Sequence, residues 1–501
     1  MTTDRKRAEP MSNVDAAWLH MEDPTNLMMV TGLMLFDEPL EFERLKAMLK
    51  QRWLRFERFR QRVIEPARSI GMPHWETDPT FDLNAHVHRI ALPAPHDQAA
   101  LQELVSDLMS TPLDFSKPLW HFHLIEGYGS GCAVLARLHH CIADGIALAQ
   151  VLLALTDTQP EPPQPEVERE ARQQPWRPLA TIVRPIAATL DTTLRVTDSL
   201  LREGRDLLNH PTHAFDLAKI GVSGAAALGK LLLMGPDPQS VFKGKLGVAK
   251  RAAWSAPIPL KDVKAIGRIT GCTVNDVLLA AVTGGLRRYL LGRGEPTDGV
   301  SFRAVVPVNL RRPEIPIELG NHFGLVFVGL PIGTADPFER LLAFRQQMNA
   351  IKGSPEPVVT FGILNAIGMA PNELERRVVE IFGTKATAVM TNLPGPGETL
   401  YLAGKPIQQI MFWVPQSGRL GLGLSILSYA GAVNLGVATD AGLVPDPDTI
   451  VAGFDAEFDE LLDLVRLVEA DGAGGAEEQA APLATDGDAT EAIEALYDTL
   501  T

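Results

Sequence analysis

A segment rich in Pro, Glu and Gln at 159–177 divides this 501-residue chain and constrains what it can fold into. Such a composition buries too little apolar surface to join a core and is typical of an extended linker. A single hydrophobic core seldom grows beyond roughly 250–300 residues. We therefore predict a first domain at 1–158, a linker with crossover helices at 159–250, a second domain at 251–470 and a tail at 471–501.

The composition indicates globular domains, because 46% of the residues are hydrophobic and 21% are charged. More than half of the net charge of −15 arises in the tail, where eight acidic residues are accompanied by no Lys or Arg. We expect this acidic tail to be mobile. A negative protein repels phosphate backbones, so we expect no nucleic-acid partner.

Cysteine usage indicates the compartment. Cys132, Cys141 and Cys272 are odd in number and scattered, which argues against a disulfide framework and fits a reducing environment. Residues 1–11 are polar and charged and lack an apolar signal region. We therefore expect a cytoplasmic protein.

Two apolar stretches fall short of a membrane-spanning helix. The stretch at 220–229 is about half as long as such a helix, and 420–439 contains glycines and serines that favour two buried strands. We expect no transmembrane span. Peripheral contact with a membrane or lipid-droplet surface stays open, with the apolar segment at 231–234 as the candidate.

Apolar periodicity indicates strands and helices that do not alternate strictly. In the first half, strands are predicted at 26–36, 120–125 and 132–138, and helices at 16–21, 40–53, 98–109 and 146–155. In the second half, an apolar-periodic segment at 260–269 is followed by helices at 275–291, 338–352 and 454–470, with strands at 302–308, 324–330, 386–392, 407–414 and a pair within 420–439. This pattern predicts α+β domains with mixed sheets.

The predicted strand at 132–138 runs directly into His139 and His140, and Asp144 and Gly145 then precede a helix. A side chain at such a turn is held by two rigid elements while its tip faces a cleft. Adjacent residues on extended chain point to opposite sides, so one histidine faces a substrate and the other packs. A neutral imidazole can take a proton from an alcohol, so the motif predicts a general base.

Several points about this motif stay open on residue chemistry alone. The chain has no Gly-x-Ser-x-Gly nucleophile elbow, so we expect direct attack on an activated donor such as a thioester. Asp144 could orient the imidazole or tie the turn to a distant Arg, and Gly145 could admit the donor or take an unusual φ. A purely structural histidine pair is one alternative, and a zinc site that includes His121 and His123 is another.

Further segments, in a consistent order along the chain, resemble one enzyme family. They are Pro-Leu-Asp at 112–114, Pro118-Leu119-Trp120, His-His-x-x-x-Asp-Gly at 139–145, Asn275-Asp276, Pro-Val-Asn-Leu-Arg at 307–311, Leu-Gly-Asn at 319–321 and Thr-Asn-Leu-Pro-Gly-Pro at 391–396. From about 11 to 470, the chain resembles the bacterial wax ester synthase/acyl-CoA:diacylglycerol acyltransferase family. This family lies in the coenzyme-A-dependent acyltransferase superfamily, with chloramphenicol acetyltransferases and nonribosomal condensation domains.

The resemblance implies two chloramphenicol-acetyltransferase-like mixed-sheet domains in pseudo-symmetric arrangement, with an active-site tunnel between them. It makes His140 the general base and His139 and Asp144 mainly architectural, with Gly145 in support. It implies no metal site and no cofactor, since acyl-CoA enters as a co-substrate.

Other site residues follow from the same resemblance. Pro118, Leu119 and Trp120 would form part of the tunnel wall, although a large aromatic such as Trp120 also suits a core. Asn275 and Asp276 would support the site. Asn275 could donate a hydrogen bond to the developing oxyanion or, alternatively, cap the helix that it opens.

The implied reaction is transfer of a long-chain acyl group from acyl-CoA to a fatty alcohol, giving a wax ester, or to diacylglycerol, giving triacylglycerol. A first alternative is an acyltransferase that acts on a polyketide or glycolipid alcohol and takes its acyl group from a carrier protein. A second is a lipid-surface binding protein that has the fold without the chemistry.

Overall fold

The computed structural model describes residues 8–66, 71–160, 229–231, 233–311, 319–351, 354–369, 372–416 and 420–475. Most of the predicted linker lies outside these described residues, and so does the acidic tail from 476 onward.

The first half of the chain contributes strands of two to nine residues and helices, three of which begin at a residue whose side chain caps the helix. Its strands are β1 (Glu9–Pro10), β2 (Met29–Phe36), β3 (Gln61–Ile64), β4 (His74–Thr77), β5 (Val87–Ala91), β6 (Trp120–Tyr128) and β7 (Gly131–His139). Its helices are α1 (Asn13–His20), α2 (Phe42–Met48), α3 (Gln98–Met109) and α4 (Gly145–Leu153). A π-helical turn at Leu49–Trp53 extends α2, and 3₁₀ turns lie at Glu57–Arg60 and Leu83–Ala85.

The second half supplies the remaining elements. Its strands are β8 (Lys250–Trp254), β9 (Ile258–Pro259), β10 (Phe302–Asn309), β11 (Phe323–Leu330), β12 (Ala388–Pro394), β13 (Tyr401–Leu402), β14 (Lys405–Pro406), β15 (Gln409–Trp413), β16 (Leu422–Tyr429) and β17 (Ala432–Asp440). Its helices are α5 (Leu260–Thr270), α6 (Val274–Gly292), α7 (Pro337–Ile351), α8 (Glu356–Ile367), α9 (Asn372–Thr384) and α10 (Pro447–Gly475). The sequence did not predict α8 or α9. Valine, threonine and glycine within α8 weaken its local helical signal, and its packing against β11 stabilises it instead.

Two mixed sheets organise the molecule and confirm the predicted α+β class. The first has the strand order β15-β2-β7-β6-β5, with β5 and β6 parallel and the other pairs antiparallel. The second has the order β11-β10-β12-β16-β17-β8, and β12 lies parallel to both of its neighbours. Strand β7 is interior to the first sheet and buried along its whole length, which explains its continuous apolar sequence.

One strand crosses between the halves of the chain. We assigned 407–414 to the second domain, whereas β15 pairs with β2 and becomes the edge of the first sheet. The buried side chains Met411 and Trp413 lie in a core shared by both sheets, where the Trp413 ring meets Trp254 of β8 at 5.7 Å. Apolar burial in this shared core therefore stabilises β15 at the edge of the first sheet.

No single helix within the ranges given above has the length and apolarity needed to cross a membrane. Helices α5 and α6 meet that test only as a pair, and they are bent by 101° relative to each other.

Candidate active site

His140 lies where β7 ends, in the turn that leads to α4. Its backbone N–H donates to the carbonyl of Met28 at 2.7 Å, and its own carbonyl accepts from the Asn321 side-chain amide at 2.8 Å. The first contact comes from the residue directly before β2 and the second from the other half of the chain. The backbone of His140 is therefore held from two sides.

The imidazole of His140 is packed against aromatic rings. It stacks on Trp18 of α1 with the ring centroids 4.1 Å apart, and the ring of Phe323 lies 5.8 Å away. Only 5% of the residue is exposed. This burial lowers the pKa of His140 to about 4, against the opposing charge of Asp144. The imidazole is therefore neutral near pH 7, as a general base must be.

His139 is fully buried and takes part in a different set of contacts. Its Nδ1 accepts from the backbone N–H of Cys141 at 3.1 Å, which leaves the proton on Nε2, 3.4 Å from a carboxylate oxygen of Glu22. Glu22 also accepts from the backbone N–H of Met28, the residue that binds the backbone of His140. His139 thus belongs to the framework of the turn.

Asp144 ties the motif to the second domain. One carboxylate oxygen caps α4 by accepting from Ala147 N at 3.0 Å. The other is paired with the Arg311 guanidinium and accepts from His322 N at 2.9 Å. Arg311 also donates to the carbonyl of Gly320 at 2.5 Å. Of the two roles considered for Asp144, the observed contacts are those of a tie to a distant Arg.

Asn275 and Gly145 lie next to consecutive residues of β12. The side-chain oxygen of Asn275 accepts from Asn392 at 3.0 Å, and the next residue, Leu393, would lie 3.8 Å from a Cβ at Gly145. Gly145 does not adopt a positive φ, so that explanation for the glycine is wrong.

Asp276 has a structural position at the start of α6. Thr273 is the N-cap, and its side chain and backbone N–H both donate to the Asp276 carboxylate, at 2.7 and 2.8 Å. The alternative that Asn275 caps this helix is therefore wrong. Because Thr273 and Asp276 form the capping box, the side chain of Asn275 is not needed as a helix cap.

The Pro118 to Trp120 segment contacts the motif through its backbone. The carbonyl of Leu119 accepts from His139 N at 3.0 Å. The Trp120 indole donates to the carbonyl of Phe59 at 2.9 Å and stacks on His86, inside the aromatic core of the first domain. Its packing is that of a core residue, and a role for Pro118, Leu119 and Trp120 in a tunnel wall stays a prediction.

The two histidines considered as metal ligands, His121 and His123, are largely buried and lie near the Arg137 guanidinium. Burial, together with the nearby Arg137 guanidinium, lowers the pKa of His121 and of His123 to about 3. Across the part of the chain that the structure describes, no group of three or more His, Cys, Asp or Glu side chains could hold a metal ion.

Two residues of α1 complete the site and were missed by sequence reasoning. Trp18 provides the ring beneath His140, and the buried Asp15 accepts from the backbone and side chain of Asn321 at 3.0 and 2.7 Å. Burial raises the pKa of Asp15, against these hydrogen bonds. The available signal was the position of Asp15 directly before the apolar run at 16–21, because a buried charge requires partners.

Family models match both halves of this arrangement. The wax ester synthase/diacylglycerol acyltransferase catalytic domain matches residues 11–278, and the C-terminal domain of the same family matches residues 319–462. The chain belongs to this acyltransferase family. The resemblance stated from the motifs is thereby confirmed, and the protein is an acyltransferase.

Individual relatives of this acyltransferase agree in length and fold. A probable diacylglycerol O-acyltransferase of Mycobacterium tuberculosis is 28% identical over 471 residues, which cover 89% of this chain and 94% of the relative. The solved wax ester synthase/diacylglycerol acyltransferase from Marinobacter aquaeolei is 23% identical, with a TM-score of 0.64 over 91% of this chain and 99% of that one. The first condensation domain of the calcium-dependent antibiotic synthetase shares the fold, with 14% identity, a TM-score of 0.56 and coverage of 92% and 97%.

Replacing Asp144 with alanine should destabilise this acyltransferase. The change leaves the largely buried Arg311 guanidinium without its carboxylate, so we expect the free energy of unfolding to fall by about 3–5 kcal/mol. Urea unfolding followed by circular dichroism measures the effect. Glu76→Ala, which removes the exposed partner of Arg62, is the control and should cost about 0–1 kcal/mol. Equal stability of the two variants would contradict the tie between domains.

Proposed function

We propose that this acyltransferase moves a long-chain acyl group from acyl-CoA to a fatty alcohol or to diacylglycerol, with His140 as the general base. One observation carries the proposal: a buried, neutral imidazole is fixed at the contact between the two domains. The family relationship supports a hydroxyl acceptor and an acyl-CoA donor.

The reaction follows from the state of that imidazole. His140 takes the proton of the acceptor hydroxyl as its oxygen attacks the thioester carbonyl carbon. The C–S bond then breaks, and the imidazolium returns the proton to the departing thiolate. An acyl thioester is already activated, so we propose that no metal or redox cofactor takes part.

The surroundings of His140 suit this proton cycle. The imidazolium that forms transiently would lie over the face of Trp18 and in the field of the Asp144 carboxylate, and both interactions favour a positive ring. Apolar packing by Trp18 and Phe323 also limits access of water, which favours ester formation over hydrolysis of the thioester.

We propose a supporting part for Asn275. Its side-chain oxygen is engaged by Asn392, which directs the amide nitrogen elsewhere and leaves it able to donate a hydrogen bond. A donor beside the thioester oxygen would stabilise the developing oxyanion by about 3 kcal/mol.

We further propose that the protein contacts a membrane or lipid-droplet surface from the cytoplasmic side, because its proposed acceptors dissolve in lipid. Within the segment at 231–234, Leu231 is buried whereas Leu233 is 89% exposed. Such a side chain can insert into a lipid surface while its neighbour anchors the segment.

Changing Leu233 to glutamate should weaken lipid binding. Removal of an inserted apolar side chain and addition of a charge should reduce cosedimentation with phosphatidylcholine vesicles that contain dioleoylglycerol, by about tenfold in partition coefficient. The control is Leu467→Glu, at a position on α10 that is also exposed. Unchanged binding by the Leu233 variant would refute this contact.

Replacing His140 with alanine should leave the fold intact and reduce ester formation by at least about 10²-fold, because the proton acceptor is lost. Purified protein is given palmitoyl-CoA with either hexadecanol or dioleoylglycerol in a buffer containing EDTA, and the products are separated by thin-layer chromatography. His74→Ala, on β4 in a separate small sheet, is the control.

A folded His140→Ala protein with normal turnover would overturn the assigned base. A wild-type protein that esterifies neither acceptor would instead favour the alternative acyltransferase with a carrier-protein donor. Activity that appears only when EDTA is omitted would contradict the proposal that no metal takes part in the reaction.

The pH dependence of the wild-type rate should report the lowered pKa of His140. Only the neutral imidazole accepts a proton, so kcat/KM should stay level from pH 8 to about 5 and fall as the pH approaches about 4. Initial rates with hexadecanol over this range provide the test, and recovery of activity on return to pH 7 shows that the protein has not unfolded. A decline centred near the ordinary histidine pKa of about 6.5 would contradict the burial of the working base.

A further inference from the structure

A positively charged groove lies at the junction of α5 and α6. It has a volume of about 480 Å³ and is lined by Lys261, Lys264, Gly267, Arg268, Cys272 and Val274. None of these residues belongs to the motifs that placed the chain in its family.

The sequence builds this groove through a sharp change of helix direction. Gly271 ends α5 with φ 63°, a left-handed conformation that glycine adopts without strain. Gly267 allows close approach of the chain that follows, since a Cβ there would lie 2.7 Å from the carbonyl oxygen of Cys272. Helix α6 then starts at an angle of 101° to α5, and the groove occupies the corner.

The charges of the groove share one face of α5. Lys261, Lys264 and Arg268 have the spacing i, i+3 and i+7, and all three side chains are exposed, while Val263 and Ile266 are buried on the other face. Within the described ranges we find no ion pair for any of the three cations. An exposed cluster of like charges without carboxylate partners attracts anions.

Two nearby features add to the positive potential. The side chain of Arg345 packs beside the turn at Gly271 and donates to the carbonyl of Thr270 at 3.4 Å. The N-terminus of α6, whose first residue Val274 lines the groove, carries the positive end of the helix dipole. The one acid of that first turn, Asp276, is bound by the capping box.

A second cluster of cations, at 52–62 in the first domain, has carboxylate partners. Arg52, Arg58 and Arg62 are each paired with a carboxylate of the chain, namely Asp157, Glu9 and Glu76. Their charge is compensated within the first domain, so this cluster is less suited to an added anion.

The groove is connected to the candidate active site by successive contacts. Val274 lines it, the adjacent Asn275 binds Asn392, and Leu393 lies against Gly145 at the start of α4. The end of α6 that lines the groove is thus linked through β12 to the start of α4, which directly follows the catalytic motif.

We propose that this groove binds the phosphate groups of the coenzyme A nucleotide, an inference that rests on the proposed acyl-CoA donor. The thioester must reach the apolar surroundings of His140, whereas phosphates cannot be buried there without partners. The pantetheine arm separates the two ends of the donor, so cations at an exposed groove outside the reaction centre suit the phosphates.

The test uses two donors that share the acyl thioester and differ in the nucleotide. The variant Lys264→Glu/Arg268→Glu should raise the KM for palmitoyl-CoA by about tenfold or more and leave kcat nearly unchanged, because charge-assisted contacts to phosphate are lost. With S-palmitoyl-N-acetylcysteamine, which has no phosphate, the KM should not change. Lys264→Arg should keep the wild-type KM for palmitoyl-CoA.

A matched control separates a local effect from a change in net charge. Lys50→Glu/Arg55→Glu alters two exposed cations in the first domain, which is the same change of net charge, and should leave the KM for both donors unaffected. Because the groove side chains are exposed, the double variant should unfold at the wild-type temperature.

The outcomes distinguish this inference from the proposed function. Equal KM values for wild type and double variant with palmitoyl-CoA would overturn the phosphate site, and so would an equal rise with both donors. Lower binding of the double variant to phosphatidylglycerol vesicles with an unchanged KM would assign the groove to lipid headgroups and also overturn it. Failure of the wild-type protein to use palmitoyl-CoA at all would overturn the proposed function instead.

Discussion

The ion pair between Asp144 and Arg311 is the interaction on which the rest of the site depends. It joins the turn after β7 to the end of β10, across the contact between the two halves of the chain. The same carboxylate caps α4, so one side chain stabilises both a helix and a domain interface. Because the pair is largely buried, loss of either partner leaves a charge that water solvates only in part.

The position of His140 follows from that interface. Arg311 and the Asp144 backbone both bind the carbonyl of Gly320, and the next residue, Asn321, binds the carbonyl of His140. The domain contact therefore fixes the base through its backbone, while Trp18 holds its ring. The imidazole can stay buried and neutral because its surroundings are apolar on the ring side and hydrogen-bonded on the backbone side.

The two domains are also joined by the exchange of a strand. Strand β15 extends the first sheet from the second half of the chain, and Trp413 meets Trp254 in a core shared by both sheets. Their separation would therefore expose apolar surface as well as break the Asp144 pair.

Local sequence determined much of this protein by itself. The buried strand before His139, the helix after Gly145 and helix α3 at 98–109 follow from apolar periodicity and capping, which act within a few residues. The motifs, by their order along the sequence, identified the family. Only the tertiary structure decided that Arg311 pairs with Asp144, that Trp18 stacks on His140 and that β15 joins the first sheet. These contacts join residues more than 100 positions apart, and their partners are chosen by burial and charge pairing in the folded chain, which no local pattern records.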